Sequence, residues 1–442
     1  MTDEPNEPTE AFEDDAVAPD AAAIPEAAAG TDEGSAEPAE PGEGRYVADP
    51  TAYAETFPSL GDAPAGGVSG IDRDGSGTRD IDQLLQVLFE EGGSDLHMKV
   101  GTAPTFRIDG ILARLEGEAQ LSEDEVDLAL RTIIPSQARY DKFLEKSEAD
   151  FAYTVEGLGR FRVNAFRQRG MTSFVCRLVR IGSPSFEELG LPPVVRTLSE
   201  EPRGLILVTG PTGSGKTTTL AAMIDHINAT KPVHILTIED PIEVLHPDRE
   251  ATVNQREVGV DTDSFVVAMR AAMRQDPDVI LVGEMRDTET VQAALAAAET
   301  GHLVLSTLHT IDATETVNRI VDFFPPFQQQ QIRVALAGAL KGIMCQRLLP
   351  KAGGGRIPSV EIMVNTGRTA DCIVDPLRTG QIQDMIREGE FYGMQTFDQS
   401  LIGLVLNGLV EIPDALDAAS NRHDFQLALE QAGIDVKQYI GA

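Results

Sequence analysis

Basic side chains are scarce in this chain. Its 36 Lys and Arg stand against 71 Asp and Glu, a formal net charge of −35 over 442 residues. A surface so negative repels phosphate backbones and anionic headgroups, which argues against nucleic acid or a lipid surface as a bulk partner. Cysteine is scarcer still. Cys176, Cys345 and Cys372 lie far apart and form no Cys-x-x-Cys pair, which excludes a zinc ribbon, argues against a disulfide framework and suits buried apolar residues in a reducing compartment. No apolar run is long enough to cross a bilayer. The opening MTDEPNEPTEAFEDD is acidic and lacks an apolar stretch, so it does not read as a signal peptide. The expectation is a cytoplasmic chain with no direct membrane insertion, reaching a membrane only through a partner.

What is present falls into segments. Residues 1–78 hold 19 acidic and two basic side chains among Ala, Pro and Gly; so few large apolar groups cannot offset the entropy of ordering, and an acidic disordered tail is expected. Asp72, Asp74, Ser76, Gly77, Thr78 and Asp80 copy part of an EF-hand loop, but Gln83 occupies the place of the bidentate carboxylate, which argues against calcium. From Ile81, a helix-spaced run (Ile81, Leu84, Leu85, Leu88), a helix at SEDEVDLALRTII and short alternating segments predict a small α+β domain with an antiparallel sheet over 79–181. A Gly/Pro-punctuated linker over 182–203 follows. Then LILVT, HILTI, VILVG and LVLST alternate with helical stretches, as in a parallel sheet buried on both faces. We expect this α/β core over 204–345, and a C-terminal helical region over 346–442 that continues from a long helix, QQQIRVALAGALKGIM. Pro376 is expected to end any helix entering the Asp375–Gly380 segment.

Chemistry concentrates in the core. Gly210-Pro211-Thr212-Gly213-Ser214-Gly215-Lys216-Thr217 is a Walker A loop between a buried strand and a helix, where backbone N–H groups and the helix N-terminus cradle phosphates. Thr218 continues its first turn. Lys216 would reach the β/γ-phosphates of ATP, and the Thr217 hydroxyl would ligate Mg²⁺. The strand VILV, then Gly283 and Glu284, has the form of a Walker B element: an acid at a strand tip, with a small residue beside it leaving room for metal-bound water. Glu239, Asp240 and Glu243, around Pro241, display two or three carboxylates where a base for the attacking water is needed. His302 and His309 bracket the strand LVLST. Alone, each reads as an ordinary structural histidine; beside a P-loop, a strand-end position suits a γ-phosphate sensor.

Taken together, the boxes GPTGSGKTTT (210–219), TIEDPIEVLH (237–246), DPDVILVGEMRD (276–287) and AAETGHLVLSTLHT (297–310) resemble, in order, those of the type II/IV secretion superfamily of hexameric ATPases. Within it, the chain is similar to the twitching-motility (retraction) ATPases of type IV pili, from about Ile81 to Ile434. The resemblance implies a RecA-like core after a PAS-like domain, with Glu243 as catalytic base, Glu284 as Walker B acid, and His302 and His309 as a histidine box. It also implies a homohexamer, and a pilus platform protein of the inner membrane as docking partner. Missing zinc cysteines and the phrase Gly-Glu-Met-Arg-Asp (283–287) favour retraction over the alternatives, a pilus-assembly or type II secretion ATPase. Arg160, Arg162, Arg270, Arg274 and Arg286 are candidates for phosphate contact, in cis or from a neighbour. A phosphotransferase would want a lid and acceptor pocket, which nothing marks, and a nucleotide-binding adaptor without turnover would not need both Glu243 and Glu284.

Overall fold

The computed structural model describes residues 80–434 and 436, apart from 109 and 116. The expected acidic tail and most of the EF-hand-like loop lie outside these residues. Asp80 lies within them, and its side chain accepts the Asp82 N–H as N-cap of the helix Ile81–Glu90.

The first half is an antiparallel sheet with helices on it. Strands β1 (Asp95–Lys99), β2 (Thr105–Ile108), β3 (Ile111–Arg114), β4 (Glu148–Val155), β5 (Gly159–Gln168) and β6 (Met171–Leu178) stand in the order β3-β2-β1-β6-β5-β4. Alternation decides which face each side chain takes. Along β5, Phe161, Val163 and Ala165 are buried in the core, with Leu84, Leu88 and Phe143 among their neighbours in it. Arg160 and Arg162 therefore share the opposite face. The helix Glu123–Ile133 starts at a capping box between Ser122 and Glu125. The helix Gln137–Lys146 was not legible in the sequence; it buries only Tyr140 and Phe143 and carries charge elsewhere.

A short strand, β7 (Arg180–Ile181), leads on to a helix at Val194–Ser199 and then to the main sheet. This contains β8 (Gly204–Thr209), β9 (His234–Glu239), β11 (Thr252–Glu257), β12 (Val279–Val282), β13 (Leu303–Leu308), β14 (Leu340–Pro350) and β15 (Arg356–Val364), in the order β11-β9-β12-β13-β8-β14-β15; β10 (Val244–Leu245) pairs with β7 instead. All neighbours in the large sheet run parallel except β14 and β15. The four hydrophobic runs read from the sequence are β8, β9, β12 and β13, contiguous and buried throughout their apolar positions. The fold is thus mixed α/β around a parallel sheet.

The C-terminal part corrects the expectation in one respect. The long helix stops at Ala339, and LKGIM belongs to β14, whose antiparallel partner β15 lies beyond the expected core boundary at 345. The residues through Met344 include good helix formers, so local propensity points the wrong way. Pairing with β8, which sets Ile343 against Leu207 and Met344 against Val208, decides the strand. Beyond β15 the chain is helical, as expected. The helix Gly367–Val374 ends directly before Asp375-Pro376.

One buried acid ties this hairpin to the strand ends. Glu361 on β15 accepts the Ala313 N–H at 2.9 Å, at the start of the helix Ala313–Asp322, and the Gln383 side-chain amide at 3.2 Å. Burial, aided by the Asp312 charge, pushes its pKa up to about 7 from an ordinary 4.5. Between those values the folded state holds a proton the unfolded state has lost. The stability this group contributes is therefore complete below about 4.5, falls as pH rises and is gone above about 7. Glu361→Gln is expected to flatten that part of a melting-temperature profile between pH 5 and 8, by roughly 4–8 °C per kcal/mol removed for a small domain and less for a larger one. An unchanged slope would show that the proton is held elsewhere.

Candidate nucleotide site

Parallel strands in register bring their carboxyl ends to one level. Thr209 of β8 stands beside Leu308 of β13, and Val282 of β12 beside Ile238 of β9 and Ser306 of β13. The segments leaving these strands are the P-loop, Gly283-Glu284, Glu239–Glu243 and His309. They surround one cavity of about 650 Å³, with Lys216, Thr217, Glu243, Glu284 and His309 on its wall. Open α/β sheets bind ligands at this edge.

The P-loop is shaped by two close approaches. Gly210 (φ +140°) and Gly215 (φ +92°) have backbone angles that side chains disfavour. A Cβ at Gly210 would also meet the Gln346 carbonyl oxygen at 2.3 Å, and one at Gly215 would meet Gln346 Nε2 at 2.7 Å. Gln346, on β14, therefore underlies the loop at both glycines. Its Oε1 also accepts the Thr219 hydroxyl at 2.9 Å, fixing the helix Lys216–Thr230 to the sheet. Sequence reasoning missed this residue, because the segment was read as helix. Lys216 Nζ donates to the Gly210 and Pro211 carbonyls at 2.7 and 3.1 Å. Burial lowers its pKa, and the negative charge of Glu284 opposes that shift.

At the ends of β12 and β13, three side chains meet. The Glu284 carboxylate accepts from Arg286 Nε at 2.8 Å, with Arg286 Nη2 2.7 Å away and His309 Nε2 3.0 Å away. Glu284 raises the pKa of Arg286 in turn. The Thr307 hydroxyl bonds the Gly283 carbonyl at 2.7 Å, so the strand tips cannot slide.

The carboxylates after β9 are not equivalent. Glu239 turns inward: it accepts from Thr237 Oγ1 at 2.6 Å, from Gln255 Nε2 at 3.1 Å and from the Glu243 backbone, and burial raises its pKa. Asp240 is exposed. Glu243 lies on the cavity wall, with its Oε1 3.4 Å from Arg162 Nη1 across from β5. Arg160, on the same face of β5, bonds the buried Glu257 at 2.9 Å. Glu257 Oε2 also accepts the Ile242 N–H at 3.4 Å, so the Arg160 pair braces the turn that carries Glu243.

Two groups of expected residues separate here. Arg270 pairs with Glu289 at 3.3 Å and Arg274 donates to the Arg270 carbonyl; neither lines the cavity. His302 sits at the opposite end of β13 from His309, a strand length of roughly 20 Å away. Its Nδ1 donates to the Ala297 carbonyl at 2.9 Å, and its own carbonyl accepts the N–H of Gly204, the first residue of β8. Within one chain, the two histidines do not form one site. Arg356, at the start of β15, does line the cavity and was not foreseen.

ATP fits these residues. Ser214 Oγ is buried in the loop without a protein partner, and the space beside Gly213 is open. Among the described residues, no cluster of His, Cys, Asp and Glu could hold a metal by itself. A divalent ion would need phosphate oxygens beside Thr217 and Glu284, which is how Mg²⁺ is usually bound.

The chain matches the Type II/IV secretion system protein family over residues 72–372. The type IV pilus retraction ATPase PilT of Pseudomonas aeruginosa is 45% identical over 346 residues, covering 78% of this chain and 100% of that protein. A twitching motility protein of Neisseria gonorrhoeae is 44% identical over 319 residues, 72% of this chain and 84% of the relative. The type II secretion system protein E of P. aeruginosa is 36% identical over 283 residues, 61% and 53% of the two. A crystal structure of the pilus retraction motor PilT with bound ADP superposes with a TM-score of 0.72 at 45% identity, covering 78% of this chain and 98% of that one.

Proposed function

This chain belongs to the type II/IV secretion family of ATPases, and on that premise we propose that it is a hexameric, Mg²⁺-dependent motor that drives type IV pilus retraction. The observation that carries the chemistry is the meeting of Lys216, Glu243, Glu284 and His309 around one cavity at the carboxyl edge of the sheet. Lys216 and the loop N–H groups hold the phosphates of ATP. Glu243 takes the proton of the attacking water. Thr217 and Glu284 would hold the Mg²⁺, which supplies charge neutralisation at the phosphates. His309, its Nε2 3.0 Å from Glu284, is placed to sense whether a γ-phosphate is present. Arg162 reaches Glu243 from the antiparallel sheet, so motion of that sheet can follow the state of the base.

Retraction, rather than assembly or secretion, is supported by the identity gradient. PilT is 45% identical and fully covered, whereas the type IV pilus assembly ATPase TfpB of Acinetobacter baylyi is 38% identical with 46% of its length covered. The cavity is open, and Arg356 lines it without an ion pair among the described residues, so a neighbouring copy has room to complete it. No helix among the described residues is long and apolar enough to cross a membrane. On this reading, work on a pilus passes through a platform protein of the inner membrane, with the ATPase on the cytoplasmic side.

In cells lacking their own retraction enzyme, this protein is expected to restore pilus shortening and twitching, and to sediment as a hexamer with an ATP analogue. Cells that instead gain pili only when the extension enzyme is missing would reverse the direction. A monomer at working concentration would remove the ring.

A further inference from the structure

Behind the Glu243 turn lies a buried polar chain that the chemistry above does not use. His246 directly follows β10, and its side chain is 2% exposed. Its Nδ1 lies 3.8 Å from Oδ1 of Asp225, on the helix that begins at Lys216, and neither atom has another partner. The other Asp225 oxygen faces Arg249 at 3.4 Å. On the far side, His246 and Glu239 line the same cavity. The His246 N–H bonds Gln255 Oε1 at 2.9 Å, and Gln255 Nε2 reaches both the Val244 carbonyl at 2.9 Å and Glu239 Oε1 at 3.1 Å. Glu239 in turn holds the Glu243 backbone. His246 thus stands between the helix that bears the phosphate-binding lysine and the turn that bears the base, and it reaches the wall of the same cavity.

We propose that His246 is a positioning residue for hydrolysis, which locks the Glu243 turn to the P-loop helix through Asp225. The gap between the two orphaned atoms is about 1 Å longer than an N–H···O bond. A small closure of the turn onto bound nucleotide makes that bond, and in doing so sets Glu243 relative to the phosphate. The idea rests on Glu243 being the base, as proposed above. A histidine that only filled space would change stability and leave turnover per bound nucleotide alone.

The test uses the full-length protein, with steady-state ATPase kinetics and ADP binding by calorimetry. His246→Phe is expected to lower kcat roughly tenfold or more, since a misplaced reacting group loses rate rather than affinity, with ADP affinity within about twofold of wild type. His246→Asn, whose Nδ2 occupies the place of Nδ1, is expected to recover most of the rate. Asp225→Leu should show the same kcat loss alone and add little to His246→Phe, which keeps the test open if the Phe variant folds poorly. Unchanged kcat, loss of ADP affinity in step with rate, or failure of Asn to rescue would each overturn the inference. A wild-type protein that does not hydrolyse ATP would instead overturn the functional reading on which it stands.

Discussion

Lys216→Ala is expected to remove nearly all ATP hydrolysis, and nucleotide binding with it. Lys216 is 9% exposed as a residue, and its ammonium, at the start of the helix, is bonded to two loop carbonyls. Its place is set by the loop rather than by solvent. Truncating one partner of a buried charged contact costs about 2–5 kcal/mol, so affinity should fall by roughly 30- to 4000-fold. Calorimetry with ADP and a phosphate-release assay read the two effects separately. Turnover close to wild type in this variant would mean that phosphates bind elsewhere, and the nucleotide site would have to be abandoned. A collapse of the fold is not expected, because the helix is held independently by Thr219 on Gln346 and by Leu220, Met223, Ile224 and Ile227 in the core.

Glu243→Gln is expected to do the reverse: nucleotide stays bound and turnover slows by roughly 100-fold or more, the usual worth of a general base. The amide keeps the shape and loses the proton acceptor. Its neighbours constrain what a negative result would mean. Glu239 is already engaged by Thr237, Gln255 and the Glu243 backbone, so it is not free to take a proton from water. If Glu243→Gln hydrolyses normally, the base passes to Asp240, and Asp240→Asn is the next variant to measure. The Arg162 pair adds a second readout. Glu243 is half-exposed and its contact with Arg162 is 3.4 Å long, so the pair contributes little stability, and the melting temperature should hardly move while kcat falls.

What the sequence determined by itself was everything that depends on contiguous residues. A P-loop is eight positions in a row, and its strand and helix are adjacent to it, so Lys216 and Thr217 were legible without a fold. Glu243, Glu284 and His309 each follow an apolar run long and uniform enough to mark a buried parallel strand, and strands of that kind expose their carboxyl ends together. The antiparallel sheet showed in the two-residue period of β5, although only tertiary contacts gave that period its meaning by turning Arg160 and Arg162 toward Glu257 and Glu243.

The structure alone decided what depends on residues distant in the chain. Leu-Lys-Gly-Ile-Met continues the helical pattern before it, and becomes β14 because β8 and β15 offer partners on both sides. With it came Gln346, whose backbone and side chain explain why Gly210 and Gly215 admit no other residue. His302 and His309 look alike in the sequence, seven positions apart, but a strand runs between them and carries them to opposite edges of the sheet. Glu239 and Glu243 are alike in the same way; one turns inward to a ready set of donors and the other lines the cavity. Side-chain type and spacing state what chemistry is available. Which end of a strand, and which side of a turn, faces the cavity is fixed by pairing and packing across the whole chain.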